Sequence, residues 1–264
     1  MNIQILGDLH GHLPGHLELL PAHLRLGKKH FDVKAAIQVG DFGFFKGVTS
    51  RLQKLTLPVP LHVIDGNHED HRFLALLTAQ KMTTFGFKNQ IIYHGRADVF
   101  ELGSVTIGCL GGALHAEHDQ ESENNPNWVT DPDADRAAEI FNDLRPQVII
   151  SHSCPHSIGI GMKANPNMAL GVARFCRSNG FDTGPATDCG EPGLTRLWQR
   201  LTYRPRLWIF GHFHRFHRAE VDRCRFVCVG SSDGTDNQDT PLPIILDAEA
   251  LTITRGRRTH DRAS

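Results

Sequence analysis

Short apolar runs that break off at a small residue followed by a polar one recur along this chain. Residues 3–6 run into Gly7-Asp8, residues 35–39 into Gly40-Asp41, and residues 61–64 into Asp65-Gly66-Asn67-His68. Further on, residues 148–150 run into Ser151-His152 and residues 206–210 into Gly211-His212. Runs this short predict strands buried on both faces. Apolar residues at helical spacing over residues 13–26 predict a helix after the first strand. Residues 47–57 predict a second helix, stopped by Pro58 and Pro60 because proline has no N–H to continue the ladder. Thr130-Asp131-Pro132 reads as a capped helix start with proline in the first turn, continuing to Leu144. Residues 193–201 predict a further helix. After residue 90 the texture changes, and residues 91–93, 99–102 and 105–110 predict short strands in hairpins. Residues 226–253 again read as short strands. Apolar strands alternating with helices give an α/β layered fold, taken as one domain over residues 1–264.

One segment does not fit an ordinary connection. Residues 155–192, rich in Gly, Asn, Pro and Asp, lie between two predicted strands. They form either a lid over a site or a peripheral insertion with one short helix near residues 168–178.

Composition narrows the class. The 264 residues can bury a substantial core without cross-links. Lys plus Arg number 28 against 29 acidic residues, so the formal charge is -1 and no basic nucleic-acid-binding surface is indicated. The six cysteines, Cys109, Cys154, Cys176, Cys189, Cys224 and Cys228, form no Cys-x-x-Cys pair and are expected to be reduced. Cys154, two residues beyond His152, is expected to pack rather than to ligate, as are Cys224 and Cys228. The first residues lack a basic start followed by a long apolar stretch, and no run of about 18 apolar residues occurs. The expectation is a cytoplasmic protein that does not span a membrane. Histidine changes the picture, with 17 copies. It is the commonest metal ligand, so the placement of those residues becomes the question.

Five strand ends share one grammar: an apolar run, a small residue, then a side chain able to bind metal. They are Gly7-Asp8-Leu9-His10, Gly40-Asp41, Gly66-Asn67-His68-Glu69, Ser151-His152 and Gly211-His212-Phe213-His214. In open α/β sheets ligands bind where the carboxyl ends of strands converge. A single Asp after a strand is ordinarily a turn cap, and a single buried His a hydrogen-bonded core residue. Capping does not account for the same coincidence at five ends of one chain, which points to a metal centre.

In order and content these blocks resemble the calcineurin-like metallophosphoesterase superfamily, whose members run Asp-x-His, Gly-Asp, Gly-Asn-His-Glu/Asp, a later His, then Gly-His-x-His. The resemblance touches all five blocks and about residues 5–215. It implies a two-sheet β-sandwich flanked by helices, in α-β-β-α layers. It also implies a metal-dependent phosphoesterase with two divalent ions per chain. Asp8, His10, Asp41 and His214 would hold one ion. Asp41 would bridge to a second, held also by Asn67, His152 and His212. His68 would be the catalytic histidine that is not a ligand, and Asn67 would also face the substrate.

The chemistry of the residues agrees with that assignment. Imidazole, carboxylate and amide ligands without thiolates suit manganese, which is favoured here, or iron, zinc, cobalt and nickel. Only Asp8 and Asp41 are anionic against two dications, so the site stays positive and favours an anionic phosphate. Two ions about 3.5–4 Å apart lower the pKa of a bridging water, and the resulting hydroxide attacks phosphorus. His68 is placed to assist the leaving group, or else merely orients its loop by a hydrogen bond. Glu69 and Asp70 read as supporting residues or as a helix start.

Departures from the family pattern sharpen the expectation. The serine/threonine phosphatases of the superfamily carry an acidic residue and a phosphate-gripping arginine after the second Gly-Asp. Here that block reads Gly40-Asp41-Phe42-Gly43-Phe44-Phe45, with neither. Arg72 could compensate, although an exposed helix arginine is the simpler reading. His115, following Gly111-Gly112, is a candidate substrate contact, and His118 a weaker one. The expectation is a phosphodiesterase acting on a small ester such as a nucleotide, with phosphomonoesters as a secondary substrate class. Two rivals stand beside it: an inactive metal-binding or scaffold protein of the same fold, and a hydrolase of thioesters or amides.

Overall fold

The computed structural model describes residues 1–114, 127–160, 188–232 and 243–256, with isolated positions between 174 and 185. In chain order the strands of the first half are β1 (Asn2–Leu6), β2 (Val33–Val39), β3 (Leu61–Ile64), β4 (Thr84–Phe85), β5 (Ile91–Tyr93), β6 (Ala97–Leu102) and β7 (Val105–Leu110). The second half adds β8 (Val148–Ser151), β9 (Leu207–Phe210), β10 (His217–Val221), β11 (Cys224–Cys228), β12 (Ile244–Asp247) and β13 (Thr252–Arg255). The described helices are α1 (His16–Phe31), α2 (Val48–Leu52), α3 (His71–Ala79), α4 (Asp131–Leu144) and α5 (Pro192–Arg200).

The strands form two mixed sheets, in the orders β13-β12-β1-β2-β3-β5-β4 and β10-β11-β9-β8-β7-β6. Each has a parallel centre. The pairs β1–β2, β2–β3 and β3–β5 run parallel in the first sheet, and β7–β8, β8–β9 and β9–β11 in the second. Antiparallel strands close the flanks.

Three apolar layers follow from the two-residue period of the strands. Leu61 and Val63 of β3 point toward Leu17, Leu20 and Leu24 of α1, whereas Ile64 joins Ile3, Ile5, Ile37 and Val39 between the sheets. There they meet Ile107, Ile150, Leu207 and Ile209 from the second sheet. The outer face of that sheet, with Ile149, Trp208 and Phe226, packs on Ala134, Ala137 and Phe141 of α4 and Leu194 and Leu197 of α5. Burying a side chain of this size contributes about 1.5–3 kcal/mol, so all three layers are strongly held. The result is the two-sheet sandwich in α-β-β-α layers that the motifs imply.

The helix ends show how local chemistry sets boundaries. Thr130 caps α4 in a capping box with Asp133, with Pro132 in the first turn as expected. Asp70 caps α3 by accepting the Phe73 N–H. α1 begins at His16 rather than at residue 13, because a turn from His10 to Leu13 and left-handed Gly15 precede it. It also runs past Leu26 to Phe31, since Gly27 lets the helix lie against Gln4. α2 is far shorter than residues 47–57. The Gln90 side chain takes both backbone groups of Leu57, accepting its N–H and donating to its carbonyl, so those residues leave the helix. β4 and β10 carry too little apolar pattern to be read from sequence. Arg174, Arg177 and Ser178 are helical, within the short helix expected near residues 168–178; its other residues, and His115, His118 and Cys176, lie outside the described residues.

Candidate metal centre

The carboxyl ends of β1, β2, β3, β8 and β9 converge at one end of the sandwich. The chain turns there through backbone that ordinary residues avoid: Asp8 (φ 39°), His10 (49°), Asp41 (54°), His212 (68°) and His214 (48°) are all left-handed. Such conformations cost about 1–3 kcal/mol each and persist where the surroundings over-determine them. Five of the seven expected ligands adopt them. Hydrogen bonds lock these turns: the His212 N–H donates to Asp8 Oδ1 at 3.0 Å, and the His68 N–H to Asp41 Oδ1 at 2.9 Å. The Ser231 hydroxyl donates to the Asp8 carbonyl.

Two glycines make the convergence sterically feasible. A Cβ on Gly40 would enter the His152 ring, and one on Gly66 would strike both Asp41 and His152. Only a hydrogen at these positions lets the ends of β2, β3 and β8 close on one another.

The polar atoms then meet closely. His152 Nε2 lies 3.2 Å from Asp41 Oδ2 and 3.8 Å from Asp8 Oδ1. His214 Nε2 is 3.5 Å from Asp8 Oδ1 and 3.2 Å from His10 Nε2. His10 Nδ1 stands 3.9 Å from Asp41 Oδ2. Three trios of donor atoms are close enough to share an ion: Asp8, Asp41 and His152; Asp8, His10 and His214; and, at the rim, His10, His12 and His68. His212 joins none of them, but its ring lies 5.1 Å from that of His152. The Asn67 side chain is buried beside them. Asp41 faces one residue from each of the two expected ligand sets, His10 and His152. His68 keeps its ring 5.0 Å from His10, at the open side.

Electrostatics show that this arrangement wants positive charge. Burial raises Asp8 to about 6 despite the pull of His152 and His214. For Asp41 burial is outweighed by His152, His68 and His10, and its carboxyl stays well below the usual range. Burial opposes a charge on His152 too, yet Asp41 and Asp8 raise its imidazole to about 10. The carboxylates thus hold a proton where a cation would sit. His212, crowded by protein and by the charge on His152, drops to about 3 and so offers a lone pair.

The residues fit a bound metal on an independent observation. His152 Nε2 and Asn67 Oδ1 are buried with no hydrogen-bond partner among the described residues. A buried polar atom left unsatisfied costs about 1–3 kcal/mol, and both of these are ligand-type atoms. The His152 Nδ1 N–H donates to the Val39 carbonyl at 2.8 Å, which turns Nε2 toward Asp8 and Asp41.

A supporting layer surrounds the cluster. Glu69 is buried, accepts the Phe42 N–H, and is pushed well above the ordinary carboxyl range by burial and by Asp41. Asp65 accepts from the Tyr93 hydroxyl and pairs with Arg96 at 2.9 Å, while Arg96 also donates to the Gly111 carbonyl. Arg72 is exposed, as its simpler reading had it. Cys154 is buried and donates to the Cys189 carbonyl, so it packs away from the ligand set.

Two residues near the centre escape the strand-end grammar. His12 stands at the rim with its ring 6.0 Å from His68 and 5.8 Å from His10. Its signal was a third alternating residue after Asp8 and His10. Glu191 is buried and accepts the N–H groups of Leu114 and Val129, at 2.8 and 3.0 Å. It therefore ties Leu114 to Val129. Burial raises it to about 7. No local pattern marks it.

A two-sheet sandwich whose parallel strand ends carry this cluster defines a metallophosphoesterase fold. The chain belongs to the calcineurin-like phosphoesterase family, whose profile matches residues 1–216. One crystal structure aligns with a TM-score of 0.61 at 15% identity, covering 96% of this chain and 97% of its own. A dimetal phosphatase from Danio rerio aligns at 0.49 and 12% identity, covering 93% and 91%. An archaeal phosphodiesterase aligns at 0.43 and 15% identity, covering 96% and 98%. At these identities the likeness extends to the fold alone. No curated protein matches the chain. Among the described residues no helix is long and apolar enough to cross a membrane.

Proposed function

We propose that this protein is a phosphodiesterase dependent on two divalent ions, acting on a small ester such as a nucleotide. The observation that carries the reading is the pair of orphaned buried atoms, His152 Nε2 and Asn67 Oδ1, beside two buried carboxylates. Asp8, His10, Asp41 and His214 would hold one ion; Asn67, His152 and His212, with Asp41 shared, would hold the other. Manganese suits this nitrogen and oxygen set, with iron, zinc, cobalt and nickel as alternatives. When bound, the ions supply Lewis acidity that activates water for attack on phosphorus and offsets the phosphate charge.

The chain's own groups do the rest. Asp41 accepts the His68 N–H and so fixes the loop that carries the His68 imidazole. His68 delivers a proton to the departing alkoxide oxygen. Asn67 holds a phosphate oxygen through its side-chain amide. Preference for a diester rests on the block after Gly40-Asp41. Phe42 and Phe44 are fully buried in the core, so this block offers no cation to grip a dianionic terminal phosphate.

Residues 1–264 are taken as one domain, since the layer between the sheets draws on strands from both halves of the chain. A reducing, cytoplasmic setting is favoured by the buried thiols of Cys109, Cys154, Cys189, Cys224 and Cys228, none of them in a disulfide. His115 remains the candidate substrate contact.

The test is hydrolysis of bis-p-nitrophenyl phosphate against p-nitrophenyl phosphate by protein stripped of metal and refilled with manganese. Metal-dependent turnover that favours the diester is the expected result. A protein carrying two metals that cleaves neither ester overturns the reading and leaves a binding module.

A further inference from the structure

The turn that follows Asp8 and His10 is held with unusual firmness for a segment at a cleft rim. The Gly11 N–H donates to the Phe42 carbonyl at 3.0 Å, and the Gly11 carbonyl accepts from Arg51 at 3.1 Å. The Leu13 N–H closes the turn on the His10 carbonyl. Opposite, a Cβ on Gly43 would collide with the backbone of Gly11 and His12, so the two loops lie backbone against backbone. His12 sits in the middle of this clamp.

The backbone of His12 is pinned, yet its side chain is exposed and makes no hydrogen bond among the described residues. Its ring lies nearly parallel to His68, 14° apart at 6.0 Å, and edge-on to His10. One nitrogen from each of the three rings falls within 4.8 Å of the others. The arginines of the neighbouring loops are already engaged. Arg51 is held by Glu18 and the Gly11 carbonyl, and Arg96 by Asp65 and the Gly111 carbonyl. His12 thus offers a pre-positioned donor beside His68, with no acceptor for it among the described residues.

We propose that His12 is a substrate-binding residue that donates a hydrogen bond to a non-bridging phosphate oxygen and thereby favours diesters over monoesters. The inference rests on the phosphoesterase reading above. An imidazole presents a single N–H toward the site, whereas a guanidinium grips two oxygens at once. A diester phosphate has two non-bridging oxygens and one charge, for which one donor is adequate. A monoester has three terminal oxygens and up to two charges, and rewards a bidentate cation. His12 therefore sets the phosphate class as well as its affinity.

The experiment uses the metal-loaded full chain as wild type, His12→Ala, His12→Gln and His12→Arg. Steady-state hydrolysis of both p-nitrophenyl esters is measured beside metal content and calorimetric binding of dimethyl phosphate. In His12→Ala, KM for the diester and the dimethyl phosphate Kd should both rise about tenfold, as for a lost hydrogen bond to a charged group. Metal content should stay at the wild-type value. His12→Gln, which keeps a donor, should recover most of the loss, and His12→Arg should move the diester-to-monoester ratio toward the monoester. Unchanged KM and Kd in His12→Ala overturn the proposal. So does a loss of metal, which would make His12 a ligand with His10 and His68. If the wild type cleaves neither ester but His12→Ala still weakens dimethyl phosphate, the role of His12 stands and the phosphoesterase reading falls.

Discussion

The molecule holds two histidine clusters of contrasting character. At the strand ends, His10, His152, His212 and His214 surround Asp8 and Asp41. At the β5–β6 edge of the sandwich, His62 of β3 pairs with His94, Nδ1 to Nε2 at 2.9 Å, and His94 in turn meets Asp98 at 2.8 Å. Both edge rings stack on Phe100, His94 with centroids 3.8 Å apart. These contacts satisfy the edge chain within itself, and His62 sits on a regular strand. The strand-end cluster has the opposite properties: left-handed backbone at five positions, two buried carboxylates, and ligand atoms with no partner. Closely spaced imidazoles alone therefore do not identify a site. Unsatisfied ligand-type atoms beside buried negative charge do, because such atoms carry a cost that a bound cation would relieve.

Substitutions should separate the two clusters by orders of magnitude. Asp41→Asn removes the carboxylate shared between the expected ligand sets, and metal-dependent hydrolysis should fall at least about 100-fold, with a matching loss of bound metal. His94→Phe, at the edge, should leave turnover within about twofold of wild type; a large loss there would merge the clusters functionally. Next in size is Gly66→Ala. Its Cβ would push on Asp41 and His152, and a displacement of about 1 Å in such a site lowers turnover about 100-fold. The protein should still fold, as circular dichroism would show.

Metal removal gives a smaller, thermodynamic contrast. An ion present at 100 times its Kd stabilises the folded state by about 2.7 kcal/mol, so chelation should lower Tm by several degrees. His62→Phe should leave that difference intact, and Asp41→Asn should abolish it.

The finest contrast is in pH dependence, where two buried groups oppose each other in sign. Burial and His94 lower His62 from 6.5 to about 4, so between those values the unfolded chain binds more protons and stability rises with pH. Glu191 is raised from 4.5 to about 7, so between those values the folded chain binds more and stability falls as pH rises. Urea midpoints measured across pH 4–7 should show a shallower rise in His62→Phe and a shallower fall in Glu191→Gln. Parallel curves for both variants and the wild type would refute these assignments.

Much of this protein is decided by interactions short enough to read along the chain. The period of apolar residues gives β1, β2, β3, β8 and β9, and the glycine or serine after each marks where a strand yields to a polar turn. Thr130 and Asp70 announce their helices because a cap acts over only three residues. The five motif blocks carry the family and the expected ligand types for the same reason. The tertiary structure alone decides which atoms remain unsatisfied. Asp41 meets His152 only because Gly40 and Gly66 lack side chains, Gln90 draws Leu57 out of α2 from a distant loop, and Glu191 reaches Leu114 and Val129 from far along the chain. His12 looks like one more polar loop residue until Gly43 is seen packed against its backbone. Periodicity and capping act locally, whereas hydrogen-bond satisfaction and close approach depend on atoms brought together from distant positions, and no local pattern records them.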